Sequence, residues 1–259
     1  MESQKIKISA VNYLNSKPFI YGLEHSAIIN EIDLQLDIPS VCADKLEENL
    51  VDIGLVPVAI IPELEEYYII SQYCIGSDGD VGSVLLFSEV PIHEIKNILL
   101  DNQSRTSVTL ARILAEKFWK IKPHWINAAD HYESLISGTT AGVVIGDRSF
   151  ALKNNYQFVY DLSGEWKKFT GLPFVFACWV ANKKLPEDFI QRLNAAFTSG
   201  IGNKEEIIHE YREQYSSLDI KDYFENKISF NFDNRKKKSL KLFLGYVNEL
   251  MESDLLKIV

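Results

Sequence analysis

Four polar segments, each at the end or the start of an apolar run, hold residue types suited to chemistry on a small acidic molecule. The first is Asn12-Tyr13-Leu14-Asn15-Ser16-Lys17-Pro18. Two amides, a hydroxyl and a lysine follow the run Ile6 to Val11, and Pro18 suits the first turn of a helix. Either Asn15 hydrogen-bonds a ligand, with Ser16 or the amides after it near an anion, or the segment is an Asx turn followed by a helix cap. The second, Asp101 to Ser107, leads from apolar Ile98 to Leu100 into an amphipathic stretch. Ser104, Arg105, Thr106 and Ser107 put three hydroxyls and a guanidinium at a helix N-terminus, where free N–H groups and the helix dipole hold a carboxylate or phosphate. One Ser or Thr would suffice as a cap, so the excess favours binding; the alternative is a capping cluster with Arg105 paired to Asp101 or another acid.

The third segment is Gly142-Val143-Val144-Ile145-Gly146-Asp147. Asp147 at its end either orients or deprotonates a ligand or caps the next helix ahead of Arg148 and Ser149. The fourth, Phe169-Thr170-Gly171-Leu172-Pro173-Phe174, sets a hydroxyl and a tight glycine turn before an apolar strand. Trp166 and Phe174 there are available for a pocket wall, though such rings more often fill a core.

Other chemistries lack their residues. No G-x-G-x-x-G, P-loop, G-x-S-x-G or H-E-x-x-H pattern is present, which removes the commonest nucleotide, serine-hydrolase and zincin signatures. Five scattered histidines share no ligand spacing, so no metal site is expected. Gly76 to Gly82 resembles a calcium loop but lacks its full spacing, and reads as a turn. Cys42, Cys74 and Cys178 lie far apart and are expected as reduced, buried thiols. Arg235 to Lys238 is expected to be a solvated helix face.

The elements that must position these residues follow from the hydrophobic pattern. The chain has 259 residues, 46% hydrophobic and 24% charged, an ordinary globular mix. Its net charge of −9 provides no global attraction for nucleic acid or an anionic membrane. The longest nearly apolar stretch, Gly171 to Ala181, has 11 residues and falls short of the roughly 20 that span a bilayer. No secretory pattern opens the chain, so a cytoplasmic protein is expected. Strands are expected at Ile6 to Val11, Leu34 to Ile38, Val51 to Val56, Tyr68 to Tyr73, Ser83 to Phe87, Ile98 to Leu100, Gly142 to Ile145 and Phe174 to Val180. Helices are expected at Cys42 to Leu50 and Ser104 to Trp119, and helix alone after Val180. This alternation predicts an α/β protein with mostly parallel strands and two lobes. Ser83 to Phe87 and Phe174 to Cys178 are read as crossovers, giving residues 1–87 plus 179–259 in one lobe and 88–178 in the other. A ligand would lie against strand C-termini and helix N-termini in the cleft.

Taken in order, these segments resemble a known family. Tyr13-Leu14-Asn15-x-x-Pro18, Asp52-Ile53-Gly54-Leu55-Val56-Pro57, Ser83-Val84-Leu85-Leu86-Phe87-Ser88, Ser104-Arg105-Thr106-Ser107, Ile145-Gly146-Asp147 and Thr170-Gly171-Leu172-Pro173-Phe174-Val175-Phe176-Ala177 are similar to the chorismate dehydratases of the futalosine route to menaquinone. The resemblance covers about residues 5–182 and lies in the combination. It implies a type II periplasmic-binding-protein fold acting as a hydro-lyase without cofactor or metal. The implied reaction converts chorismate, a dianion, to 3-[(1-carboxyvinyl)oxy]benzoate and water. On this resemblance Ser104, Arg105, Thr106 and Ser107 hold a carboxylate, Ser83 and Thr170 bind the ring or second carboxylate, Gly171 is also substrate-binding, and Asn15 contacts the reacting region. Asp147 or the substrate's own enolpyruvyl carboxylate is the base. Two alternatives share the fold: the 1,4-dihydroxy-6-naphthoate synthase of the same pathway, marked by a Ser-Pro-Cys-Pro-Asn-Asp opening where this chain has Tyr13-Leu14-Asn15, and a non-catalytic binder of small anions.

Overall fold

The computed structural model describes residues 5–256 apart from Asp130 and Ser217, with side chains as far as Glu252. In chain order its elements are β1 (Ile6–Val11), α1 (Lys17–Glu24), β2 (Ile32–Asp37), α2 (Pro39–Glu47), β3 (Ile53–Pro57), β4 (Tyr68–Ser77), β5 (Val84–Ser88), β6 (Asn97–Leu100), α3 (Arg105–Ile113), β7 (His124–Asn127) and β8 (Thr140–Ile145). They continue as α4 (Arg148–Leu152), β9 (Phe158–Asp161), α5 (Leu162–Thr170), β10 (Phe174–Ala181), α6 (Glu187–Gly202), α7 (Lys204–Tyr211), α8 (Ile220–Asp222), β11 (Ser229–Asn231) and α9 (Asn234–Leu256). The chain divides into two units, residues 1–76 with 176–233 and residues 77–175 with 234–259. No helix among the described residues is long and apolar enough to cross a membrane.

The first unit is built on a six-stranded sheet of order β11-β4-β10-β3-β1-β2. β1 runs parallel to β2 and β3, while β10 is antiparallel to β3 and β11 antiparallel to β4. β3 and β10 are buried along their whole length, which is why they read as continuous apolar runs. Helices α1 and α6 cross closely because Gly22 and Gly200 meet there: a Cβ on Gly200 would stand 1.8 Å from the Pro18 carbonyl oxygen. Phe19 packs at that crossing against Phe197, Phe230 and Trp179, with ring centroids 5.0, 5.3 and 5.6 Å away. Cys42, Cys74 and Cys178 are buried free thiols, and burial pushes Cys42 up to about 12.

The second unit holds a five-stranded sheet of order β7-β6-β8-β5-β9. β6 is parallel to β7 and β8, whereas β5 is antiparallel to both β8 and β9. Leu85, Phe87, Leu99, Tyr132, Ile136 and Val144 form one buried cluster. Trp166 anchors another, 5.4 Å from Phe174 and 6.0 Å from Phe243, and its indole N–H donates to Ser239 at 2.9 Å.

Several expectations change. β5 hydrogen-bonds to β8 and β9 within the second unit, so Ser83 to Phe87 is not a passage between units. α9 belongs with the second unit because Phe243 packs on Trp166 and Phe174, so the division falls at 76/77, 175/176 and 233/234 rather than 87/88 and 178/179. The region after Val180 is not helix alone, since β11 extends the first sheet. Both sheets are mixed rather than mostly parallel. Lys236 is buried at 1% exposure rather than solvated, and Arg235 pairs with Asp78 at 2.9 Å.

Candidate functional site

In the second unit β6, β8 and β9 run the same way, and β5 runs against them. Three strand ends, Leu100, Ile145 and Asp161, therefore share one edge of the sheet with the start of β5. Helices α3, α4 and α5 begin just past those strand ends, at Arg105, Arg148 and Leu162. The topology gathers Ser83, Ser104 to Ser107 and Asp147 at this edge.

Ser104 is the N-cap of α3, its hydroxyl accepting from the Ser107 amide at 3.2 Å, with the two hydroxyls 3.0 Å apart. Ser104, Thr106 and Ser107 are buried and Arg105 is half-buried. The first turn of α3 thus combines hydroxyls with helix N–H groups, the composition that favours an oxyanion. Ser83 is buried, and its carbonyl accepts from the Gly146 amide at 2.8 Å, tying the start of β5 to the end of β8. Gly146 sits at φ +64, left-handed backbone that glycine adopts without a Cβ penalty, and turns the chain so that half-buried Asp147 precedes α4.

Asp101, one residue past β6, joins these pieces. Its Oδ1 accepts from the Gln103 amide at 2.9 Å. Its Oδ2 accepts from Arg148 Nη2 at 2.5 Å and from the Ile145 amide at 3.2 Å. The Tyr132 hydroxyl is 3.1 Å from the same Oδ2 and also meets the Val143 carbonyl. Burial pushes the Asp101 carboxyl above the ordinary value, opposed by the Gln103 amide, Arg148, the Ile145 amide and Tyr132 in that order. Arg148 also reaches Glu133 at 3.0 Å, leaving its buried Nε without a partner among the described residues. Sequence reasoning passed over Asp101, Tyr132 and Arg148 as site residues. The available signal was an acid directly after the wholly apolar Ile98 to Leu100.

Thr170 and Gly171 stand at the opposite end of α5 from this edge. Thr170 ends α5, where its hydroxyl donates to the Trp166 carbonyl at 2.8 Å and accepts from the Leu172 amide at 3.1 Å. Gly171, at φ +73, is the left-handed cap of that helix and is exposed. Asn15 is in the first unit, half-buried in a short turn after β1. Beside it Ser16 is wholly buried and donates to the Val11 carbonyl at 2.5 Å, so its hydroxyl serves the turn. A cavity of about 570 Å³ in the first unit is lined by Glu47, Glu63, Glu65 and Glu66, an acidic wall that repels an anion. The calcium-like loop is held by Asp78, which pairs with Lys167 and Arg235. Among the described residues no group of three or more His, Cys, Asp or Glu is arranged to hold a metal.

Two mixed sheets with helices opening at strand ends define an α/β class seen in solved structures. The chain is similar to protein AF1704 from Archaeoglobus fulgidus, with a TM-score of 0.72 and 15% identity over 99% of this chain and 100% of that one. It is also similar to the periplasmic aliphatic sulphonate binding protein SsuA from Escherichia coli, with a TM-score of 0.62 and 15% identity over 98% and 94% of the two chains. The fold is periplasmic-binding-protein-like. Residues 6–249 match the family described as Menaquinone biosynthesis, and the chain belongs to that family. It is 27% identical over 164 residues to a chorismate dehydratase from Thermus thermophilus, a match spanning 54% of this chain and 58% of that protein.

Proposed function

We propose that this protein is a chorismate dehydratase. It removes the C3 proton and the C4 hydroxyl of chorismate, giving 3-[(1-carboxyvinyl)oxy]benzoate and one water. The C3 proton is vinylogous to the ring carboxylate, so its electron pair delocalises before the hydroxide leaves, and aromatisation favours the product. A protein catalysing this step must bind a dianion and stabilise further charge on it.

The observation that carries the reading is the sheet edge of the second unit, where Ser83, the hydroxyl-rich first turn of α3 and the Gly146-Asp147 turn meet. Ser104, Arg105, Thr106 and Ser107 hold one carboxylate, and Ser83 hydrogen-bonds the ring or the second carboxylate. The relative in Thermus thermophilus supports the substrate. Asn15, Thr170 and Gly171 enter this proposal through the family resemblance. Asp147, as an anion, would be repelled by a dianionic substrate, so the base is the substrate's own enolpyruvyl carboxylate. Asp147→Asn is then expected to keep kcat within about threefold, whereas loss of an essential base costs on the order of 10²-fold or more.

The primary test incubates purified protein with chorismate, without metal or nucleotide, and identifies products by ultraviolet absorbance and mass spectrometry. A product lighter by one water with an aromatic spectrum is the expected result. Unchanged chorismate that raises the melting temperature would replace this reading with a binding role. Neither effect would direct attention to the substrate of the 1,4-dihydroxy-6-naphthoate synthase.

A further inference from the structure

We propose that Asp101 is the positioning residue of this site, a charged clasp that sets the first turn of α3 and the Gly146-Asp147 turn at a fixed spacing for one substrate carboxylate. The inference rests on the chorismate reading above and adds a residue that binds no substrate itself.

The need for a clasp follows from the sheet. Residue pairing between β6 and β8 runs Asn97 with Thr140, Ile98 with Ala141 and Leu99 with Gly142, and stops there. Beyond Leu99 and Gly142 the two strands still run on, to Leu100 and Ile145, toward the edge where the candidate residues lie. Over that last stretch the Asp101 carboxylate adds a link of its own between the two strands. Oδ2 accepts from the Ile145 amide on the neighbouring strand, while Oδ1 accepts from the Gln103 amide, one residue before the Ser104 cap. Arg148, the first residue of α4, returns to Oδ2, so both sides of the Gly146-Asp147 turn are held by one oxygen. Tyr132 closes the set.

A carboxylate has about four acceptor positions; the Gln103 and Ile145 amides and Arg148 donate to this one, and the Tyr132 hydroxyl shares its single proton between Oδ2 and the Val143 carbonyl. An asparagine offers a single oxygen. Its amide would be set against a donor at either site, against the Gln103 amide in one orientation and against Ile145, Tyr132 and Arg148 in the other. The side chain of Asp101 is fully buried, so no water replaces the lost acceptor. Asp101→Asn therefore loosens one turn from the other while leaving the volume of the side chain unchanged.

The experiment compares full-length wild type, Asp101→Asn and Tyr132→Phe by amide hydrogen exchange and by kcat and KM for chorismate. Exchange at Ser107, Val108, Gly146 and Ser149 is expected to quicken at least about tenfold in Asp101→Asn, while Leu86 in β5 keeps its wild-type protection. KM is expected to rise at least about tenfold with kcat within threefold, because the carboxylate contact acts on ground and transition states alike. Tyr132→Phe leaves the other three donors in place and is expected to shift both quantities the same way by a smaller factor; it carries the test alone if Asp101→Asn does not fold. General destabilisation would lower the active fraction, and with it apparent kcat at unchanged KM. That result, or wild-type exchange at the two turns, overturns the proposal. A wild-type protein that leaves chorismate untouched refutes the dehydratase reading instead, and the exchange pattern then decides on Asp101 by itself.

Discussion

Removing the Ser104 hydroxyl takes away the acceptor of the Ser107 amide. Ser104→Ala is expected to cost about 1 kcal/mol of stability as a lost N-cap. If the same hydroxyl faces a substrate carboxylate, KM for chorismate rises at least about fivefold as well, roughly 1 kcal/mol of binding; urea unfolding and steady-state kinetics measure the two effects separately. Asp161 makes a second prediction. Its carboxylate caps α5 through the Ser163 and Gly164 amides at 3.0 and 3.1 Å and holds the Gly82 amide at 2.7 Å, one residue before Ser83. Burial pushes it up to about 6 against those N–H groups, with Asp80 acting in the same direction as burial. The folded chain therefore binds this proton more tightly than the unfolded one, and stability falls as pH rises from about 4 to 6, then levels. Partial exposure reduces the effect to roughly 1–2 kcal/mol. Urea unfolding across pH 4–7 is expected to show a shallower decline in Asp161→Asn than in wild type.

Elements set the geometry through turns. Gly146 at φ +64 links β8 to α4 and presents its amide to the Ser83 carbonyl. A Cβ on left-handed backbone costs roughly 1–2 kcal/mol, so Gly146→Ala is expected to lower the melting temperature and raise KM together, measured by calorimetry and kinetics. Elements also show where the sequence was readable. β3 and β10 are buried on both faces and stood out as apolar runs. Three strands escaped notice, β7, β9 and β11, and all three are edge strands. β7 and β9 are only half-buried or exposed along their length, and β11 has three residues, so none carries an uninterrupted apolar pattern. At helical spacing Leu240, Phe243, Leu244, Val247, Leu250 and Met251 read as one apolar stripe of α9; Leu240, Phe243 and Val247 are buried, while Met251 is 41% exposed.

At the scale of the molecule, the second unit is completed by the far end of the chain. Ser239 and Phe243 of α9 contact Trp166, and Phe243 also meets Phe174 at 5.1 Å. Ending the chain at Asp233 would expose these rings, each worth about 2–3 kcal/mol of burial, against a total stability of about 5–15 kcal/mol. The truncated protein is expected to lose cooperative unfolding of residues 77–175, seen as collapse of their dispersed amide resonances, while residues 5–76 with 176–233 keep theirs. The helix stripe was visible in sequence, but its partner was not, because an apolar face states that it must be covered and is silent about what covers it.

Hydrophobic period and local chemistry, which act over a few residues, determined a good deal on their own. The α/β class, the central strands, the capping hydroxyls of α3 and the family resemblance were all legible in the order of residues. The tertiary structure alone decided which strands lie side by side, and so which strand ends share an edge. Ser83, Ser104 and Asp147 are far apart in the chain, and they come to one edge of the sheet because β5, β6 and β8 are neighbours. Asp101 shows the limit most plainly. Its donors come from positions 103, 132, 145 and 148, and a buried carboxylate is held by whatever the fold brings to it, a relation that no local spacing encodes.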